Sequence, residues 1–237
     1  MNIALVFAGG TGQRMISSDL PKQFLKVDNT PILVHTLKKF NNHNQIDSII
    51  VVTLGNWLDY TMKLVDTYKL DKVLSVVAGG KTAQESQMYG LSKIVEMKLN
   101  INNPIILIHD GVRPLIDMDT ISRNIDTTMG KGNSITVTKA IETVIYVATG
   151  NKIDRIFDRE LCWMARAPQC FYFDDIFNCH LRSIKDKKSF IDSATMMKHY
   201  GHSLNITEGN SENIKITTPT DFDLFVTLNS KNENVHE

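Results

Sequence analysis

The run Ile3–Phe7 followed at once by Ala8-Gly9-Gly10-Thr11-Gly12 constrains this chain more than any other feature. An unbroken apolar run without alternation is how a strand buried on both faces of a parallel sheet reads. The small residues after it remove side chains where the backbone must turn and come close to something. Arg14 and, past the loop, Lys22 bring fixed positive charge to the same place. Bare backbone N–H groups and cations directly after a first strand describe a cradle for polyphosphate.

Three phosphate-binding patterns compete for this stretch. The dinucleotide fingerprint G-x-G-x-x-G needs a third glycine, but Met15 stands there after Gly10 and Gly12. The ATPase-type loop G-x-x-x-x-G-K-[ST] finds its tail in Gly80-Lys81-Thr82, yet Ser75 occupies the place of its first glycine. A third pattern, the nucleotidyltransferase opening G-G-x-G-x-R-M followed by P-K-Q, is complete. It reads Gly9-Gly10-Thr11-Gly12-Gln13-Arg14-Met15, then Pro21-Lys22-Gln23.

The order of the remaining segments supports an α/β fold. Helical spacing covers Pro31 to Phe40, Trp57 to Leu70 and Gln84 to Met97, and strands are expected at Ile46 to Thr53, Val73 to Val77 and Pro104 to Ile108. Strands alternating with helices give a doubly wound, mostly parallel sheet whose ligands sit beyond the carboxyl ends of the strands. The glycine loop, Gly79 to Ser86 and His109 to Arg113 all follow strand ends and are expected to meet in one crevice. From Ser134 the rhythm changes. Thr143 to Phe157 reads as a β-hairpin turning at Thr149-Gly150-Asn151. A lone hairpin cannot bury its own faces, so residues 140–160 are expected to form a protruding arm for dimerisation. Helices follow near Phe173 to Ile184 and Ser193 to His199, and a last one is opened by Thr218 as cap with Pro219 as its first residue. Residues 1–237 are read as a single domain, with a flexible polar tail at 229–237.

Composition excludes several function classes. With 42% hydrophobic residues in 237, the chain can build one sizeable core. Lys and Arg total 26 against 26 Asp and Glu, so no net basic charge argues for nucleic acid. The apolar start is too short to span a membrane. Cys162, Cys170 and Cys179 form no CxxC pair and are expected as reduced thiols of a cytoplasmic protein.

Taken together, these segments resemble the cytidylyltransferases that make CDP-linked polyols, along nearly the whole length. The resemblance runs from the glycine opening and Pro21-Lys22-Gln23-Phe24-Leu25 through Gly79 to Ser86 and His109-Asp110-Gly111-Val112-Arg113-Pro114. It continues through Asp158-Arg159 and Pro168-Gln169-Cys170-Phe171 to Asn213–Asp221. Of the two branches, one acts on 2-C-methylerythritol 4-phosphate and the other on ribitol 5-phosphate. Phe24, Gly55-Asn56-Trp57, Val112 and the Asn213-Ile214-Lys215-Ile216-Thr217-Thr218 spelling resemble the ribitol 5-phosphate branch more closely. The chain departs from the family pattern at Ala83 (arginine in the pattern), Arg166 (glutamine), Ala167 (threonine), and Ile191 and Ser193 in the acidic segment.

The resemblance implies attack by an acceptor phosphate on the α-phosphorus of CTP, with pyrophosphate leaving and Mg²⁺ or Mn²⁺ bridging phosphate oxygens. It implies Arg14, Lys22 and Lys215 as catalytic cations. Nucleotide would be bound by Ala8, Gly9, Gly10, Thr11, Gly12, Gly80, Lys81, Ser86 and Asp110. The acceptor would meet Thr143 and Arg159 across a homodimer, as well as Asp110, which also offers the metal a carboxylate. Two other classes remain open on sequence: a nucleotide-binding homologue that has lost catalysis, and a sugar-1-phosphate nucleotidyltransferase using another base.

Overall fold

A computed structural model describes residues 1–9, 20–99 and 102–233. Strand β1 (Asn2–Ala8) leads past a 3-10 turn at Lys22–Phe24 to a two-stranded ribbon, β2 (Lys26–Val27) and β3 (Thr30–Pro31), then α1 (Ile32–Asn41). There follow β4 (Ser48–Thr53), α2 (Leu58–Thr67), β5 (Val73–Ala78), α3 (Ala83–Glu96), β6 (Ile105–Asp110), α4 (Met118–Lys131) and β7 (Asn133–Lys139). The hairpin strands β8 (Ile145–Tyr146) and β9 (Arg155–Ile156) precede β10 (Trp163–Tyr172), α5 (Phe173–Asp186), α6 (Ser193–His199), β11 (Ile206–Glu208) and α7 (Pro219–Glu233).

Seven strands form one sheet in the order β11-β7-β10-β6-β1-β4-β5, parallel throughout except for β10, which runs against both β6 and β7. β1 lies inside the sheet, between β6 and β4, because its apolar run has no polar face to show. Ile3, Ala4, Leu5 and Val6 are all fully buried. Successive side chains point to opposite sides. Ala4 and Val6 pack under α1, α2 and α4 through Leu33, Leu37, Phe40, Leu64, Ile121 and Ile125. Ile3 and Leu5 pack under α3, α5 and α6 through Leu91, Ile94, Ile176, Cys179, Met196 and Met197. Burying such a side chain stabilises the fold by ~1.5–3 kcal/mol each, so two helical layers hold this strand.

The strand order reverses between β1 and β6: the chain runs outward from β1 to β4 and β5, then returns to the other side of β1 as β6. Register aligns Ala8 with Thr53, Thr53 with Ala78, and Phe7 with Asp110, so the carboxyl ends of four strands lie side by side at the switch point. That is where an open α/β sheet holds a ligand.

The structure corrects the sequence expectations in places. α4 and β10 were not expected from the sequence at all. Of the tail expected to be flexible at 229–237, residues up to Glu233 continue α7, with Asn229 Nδ2 donating to Asp28 Oδ2 at 2.8 Å, and 234–237 lie outside the described residues. The expected hairpin is present but short: two residue pairs hold β8 to β9, apart from the main sheet. Its turn includes Gly150 at φ 69°.

Candidate active site

A cavity of about 280 Å³ opens at the switch point, walled by the end of β1, the 3-10 turn at Lys22, the start of α3, and Asp110 with Lys215. Each wall has a local cause. Gln23 is buried, and its Nε2 donates to the Ala8 carbonyl at 2.7 Å, tying the far end of the glycine loop back to β1. The Lys22 ammonium donates to the Ile216 carbonyl at 2.8 Å, joining that loop to the C-terminal segment.

The second wall is the entry to α3. Thr82 caps the helix by accepting from the Glu85 N–H at 3.1 Å. The Glu85 carboxylate in turn accepts from the Lys81 N–H at 2.7 Å. Ser86 Oγ accepts from the Gly80 N–H at 3.1 Å and donates to the Thr82 carbonyl at 2.9 Å. Gly79 and Gly80 are required here by space: a Cβ at Gly79 would lie 2.8 Å from Ser86 Oγ, and one at Gly80 only 2.4 Å from the Glu85 Cβ. The helix thus presents its positive N-terminal end, through Lys81, Thr82 and Ala83, to the cavity.

Asp110 closes the third side. It is 7% exposed, with Oδ1 accepting from Lys215 Nζ at 2.6 Å and Oδ2 from Arg113 Nε at 2.8 Å. Burial alone pushes its carboxyl up, but the charges of Lys215 and Arg113 and their hydrogen bonds outweigh that and hold it at about 2. Arg113 also donates to the Asn213 carbonyl at 2.9 Å, and the Ile216 N–H donates to the Val112 carbonyl at 2.9 Å. Ile216 and Phe225 pack with Val112 and Leu115, and the Asp221 carboxylate accepts from Thr217 and Thr218 at the entry to α7. Lys215 is therefore placed by packing on both sides of it.

His109 is fully buried and is a core residue. Its Nε2 lies 3.2 Å from the Arg113 carbonyl, its Nδ1 has no described partner, and burial lowers its pKa to about 4, so the ring is neutral.

A second recess of about 150 Å³ shares Phe7, Ala83, Asp110 and Lys215 with the first and continues beyond them to β10 and the start of α6. Asp192 caps α6, accepting from the Thr195 N–H at 2.8 Å, and also accepts from Gln169 Nε2 at 3.1 Å.

Lys22, Lys215, Asp110, Ala8, Gly9, Lys81 and Ser86 thus line one cavity. Gly80 belongs to the same wall through its bond to Ser86. Gly10, Thr11, Gly12 and Arg14 lie outside the described residues. Thr143 and Arg159 line neither space. Both are exposed at the base of the hairpin, where Arg159 reaches the Ile141 carbonyl at 3.4 Å and Glu160 at 3.7 Å. Gln23 and Thr82 were missed from the sequence. The signal for Thr82 was the T-x-x-E spacing to Glu85, a capping pattern.

The family model described as "IspD: 2-C-methyl-D-erythritol 4-phosphate cytidylyltransferase" matches residues 2–227. The chain belongs to the IspD family. Within it, a curated relative from Streptococcus agalactiae serotype Ia named ribitol-5-phosphate cytidylyltransferase is 45% identical over 235 residues, spanning 99% of this chain and 98% of its own. A relative from Clostridium novyi, named 2-C-methyl-D-erythritol 4-phosphate cytidylyltransferase, is 38% identical over 221 residues, 93% of each chain. The IspD-family fold is also seen in a solved structure, the 4-diphosphocytidyl-2C-methyl-D-erythritol synthase of Anaerococcus prevotii. It superimposes with a TM-score of 0.82 at 22% identity, covering 97% of this chain and 98% of its own.

Proposed function

We propose that the protein transfers CMP from CTP to ribitol 5-phosphate, giving a CDP-polyol and pyrophosphate. The observation that carries this reading is the pair of joined spaces. A cation-lined cavity under a helix N-terminus meets a small polar recess at Asp110 and Lys215. The higher identity to a ribitol-5-phosphate cytidylyltransferase favours that acceptor over methylerythritol phosphate.

In this reading CTP lies in the larger cavity with its phosphates toward Lys22, Lys215 and Arg14. An acceptor phosphate oxygen attacks the α-phosphorus, the bond to the β-phosphate oxygen breaks, and pyrophosphate leaves with the electron pair. Attacker and target are both anionic, so the chain contributes alignment and positive charge, and no side chain is required as a covalent intermediate. Lys215, held by Asp110, stands where the two spaces meet and neutralises charge growing on the α-phosphate. The Ser86-ordered loop at Gly80 and Lys81 offers backbone groups to the base. Among the described residues, Asp110 is the one carboxylate on the cavity wall, and no cluster of three metal-ligating side chains exists. That donor set fits Mg²⁺ held mainly by nucleotide phosphates and water, with Asp110 beside it. When bound, the ion would neutralise phosphate charge.

The test is pyrophosphate release from CTP with ribitol 5-phosphate, methylerythritol phosphate and no acceptor in parallel. Release with ribitol 5-phosphate supports the reading, and release with methylerythritol phosphate alone replaces it. CTP binding without release from any acceptor means a protein that has lost catalysis, a reading raised by Ala83, Ala167 and Ile191. Lys22→Ala is expected to lower turnover by about 10²-fold.

The proposal includes a homodimer built on the hairpin. Apolar residues around it stand in solvent, with Ile141, Ile156 and Leu161 at 84%, 63% and 78% exposure. A second copy related by a two-fold axis would cover them and bring Thr143 and Arg159 to the partner's acceptor recess. Lys22→Ala and Arg159→Ala proteins, each inactive alone, are expected to regain part of the activity when their subunits exchange. A mixture shown to exchange and still dead would exclude a shared site.

A further inference from the structure

The smaller recess carries three cationic side chains, Arg113, Arg166 and Lys215, and two carboxylates, Asp110 and Asp192. Among the described residues, one of these cations has no carboxylate partner. Asp110 takes Lys215 and Arg113, and Asp192 takes the Thr195 N–H and Gln169. Gln87 accepts from Ser193 Oγ at 3.0 Å, and Gln169 accepts from the Ala194 N–H at 2.9 Å. Arg166 uses only its Nε, which donates to Thr138 Oγ1 at 3.3 Å. Among the described residues, its terminal N–H groups meet no acceptor and its charge no carboxylate.

Arg166 is half-buried, and burial and then the nearby Arg113 charge both work against its guanidinium. A polar group set in a wall without a partner is costly unless a ligand supplies one. The recess also has room for a ligand. Its about 150 Å³ holds roughly five water-sized groups, and Ala83 and Ala167 present only methyl groups to it. The guanidinium on this recess comes from β10, facing Ala83 at the start of α3.

We propose that Arg166 is an acceptor-binding residue whose terminal edge donates to the distal hydroxyls of an open-chain polyol phosphate. The inference rests on the reading of the preceding subsection. There the acceptor phosphate lies at the junction by Lys215, so what extends into the recess is the hydroxylated remainder of the acceptor. A planar fork of donors matches two neighbouring hydroxyl oxygens of such a chain.

The experiment measures KM for ribitol 5-phosphate and for CTP separately in the wild-type protein and in Arg166→Ala, Arg166→Gln and Arg166→Lys. Removing the fork is expected to raise the acceptor KM by about 30-fold in the first two variants, with the CTP KM moving less than about threefold. Arg166→Lys, keeping one donor direction, is expected to fall between them and the wild type. Unchanged acceptor KM in all three variants overturns the role of Arg166, as does an equal rise in both constants. A wild-type protein that binds CTP but turns over no polyol phosphate overturns the parent reading and this inference with it. Activity in the wild type with an indifferent Arg166 overturns this inference alone.

Discussion

Asp110 is the side chain on which two cations depend. Lys215 and Arg113 each donate to one of its oxygens. Asp110→Asn keeps the shape but removes the charge they share, and a buried pair broken on one side costs ~3 kcal/mol or more. That loss is expected in urea unfolding at neutral pH. The acid side gives a second reading of the same residue. With a folded value of about 2 against about 4 in an unfolded chain, the stabilisation is complete above about pH 4 and is lost as pH falls from there toward 2. The Asn variant is expected to lack that part of the acid slope, and an unchanged slope would assign it to other carboxylates. At this scale the sequence was informative where a charge sat inside a motif. Lys22, Lys215, Asp110 and Ser86 were expected at one place and line one cavity. Gln23 was not expected, because a buried amide that bonds a backbone carbonyl has the same spelling as a solvated one.

Among the elements, α3 shows how tightly a helix entry can be specified. Gly80 accepts no side chain because the Glu85 Cβ would lie 2.4 Å from its own, and Glu85 is fixed by its bond to Lys81. Gly80→Ala is expected to shift the Gly79 to Thr82 turn, raising KM for CTP by about tenfold while moving the melting temperature by a few degrees at most. An unaltered CTP KM would take this turn out of the nucleotide site. The parallel strands and their helices were legible from apolar runs and helical spacing. α4 was not, since beside Ile121 and Ile125 its buried side chains include Thr120, which bonds to Asp117, and Asn124 and Thr128, which bond to backbone carbonyls and to Thr136, and these polar residues dilute the apolar stripe. Its ends were readable all the same: Asp117 caps it and Gly132, at φ 92°, stops it. β10 was hidden by Arg166 and Pro168 at its centre, where proline argues against a central strand. The structure accommodates them with a register shift against β7 between Ala165 and Gln169.

Across the whole molecule, two histidines are buried neutral in different parts of the core. His109 sits at the end of β6 and His180 on α5, and burial lowers each to about 4. An unfolded chain takes up protons at both near pH 6.5, while the folded chain does so only near 4. Stability is therefore flat above about pH 6.5 and falls as pH drops from there toward 4, by roughly 3 kcal/mol per histidine at most. Urea midpoints at pH 7.5, 5.5 and 4.5 measure this. His180→Leu, which removes a ring whose Nε2 has no described partner, is expected to reduce the slope. A midpoint independent of pH over this range would show that neither ring is held neutral.

β10 begins beside the hairpin at Trp163, crosses the recess with Arg166 and Gln169, and ends in the core at Tyr172. One strand therefore runs beside the arm, along the recess wall and into the sheet at once. If the arm governs pairing and the recess governs the acceptor, the two traits are inherited as one cassette. A crossover between relatives placed on either side of residues 139–172 moves both together. One placed inside joins an arm to a wall it did not evolve with, so lineages that change acceptor are free to exchange this segment whole and pay for exchanging it in parts.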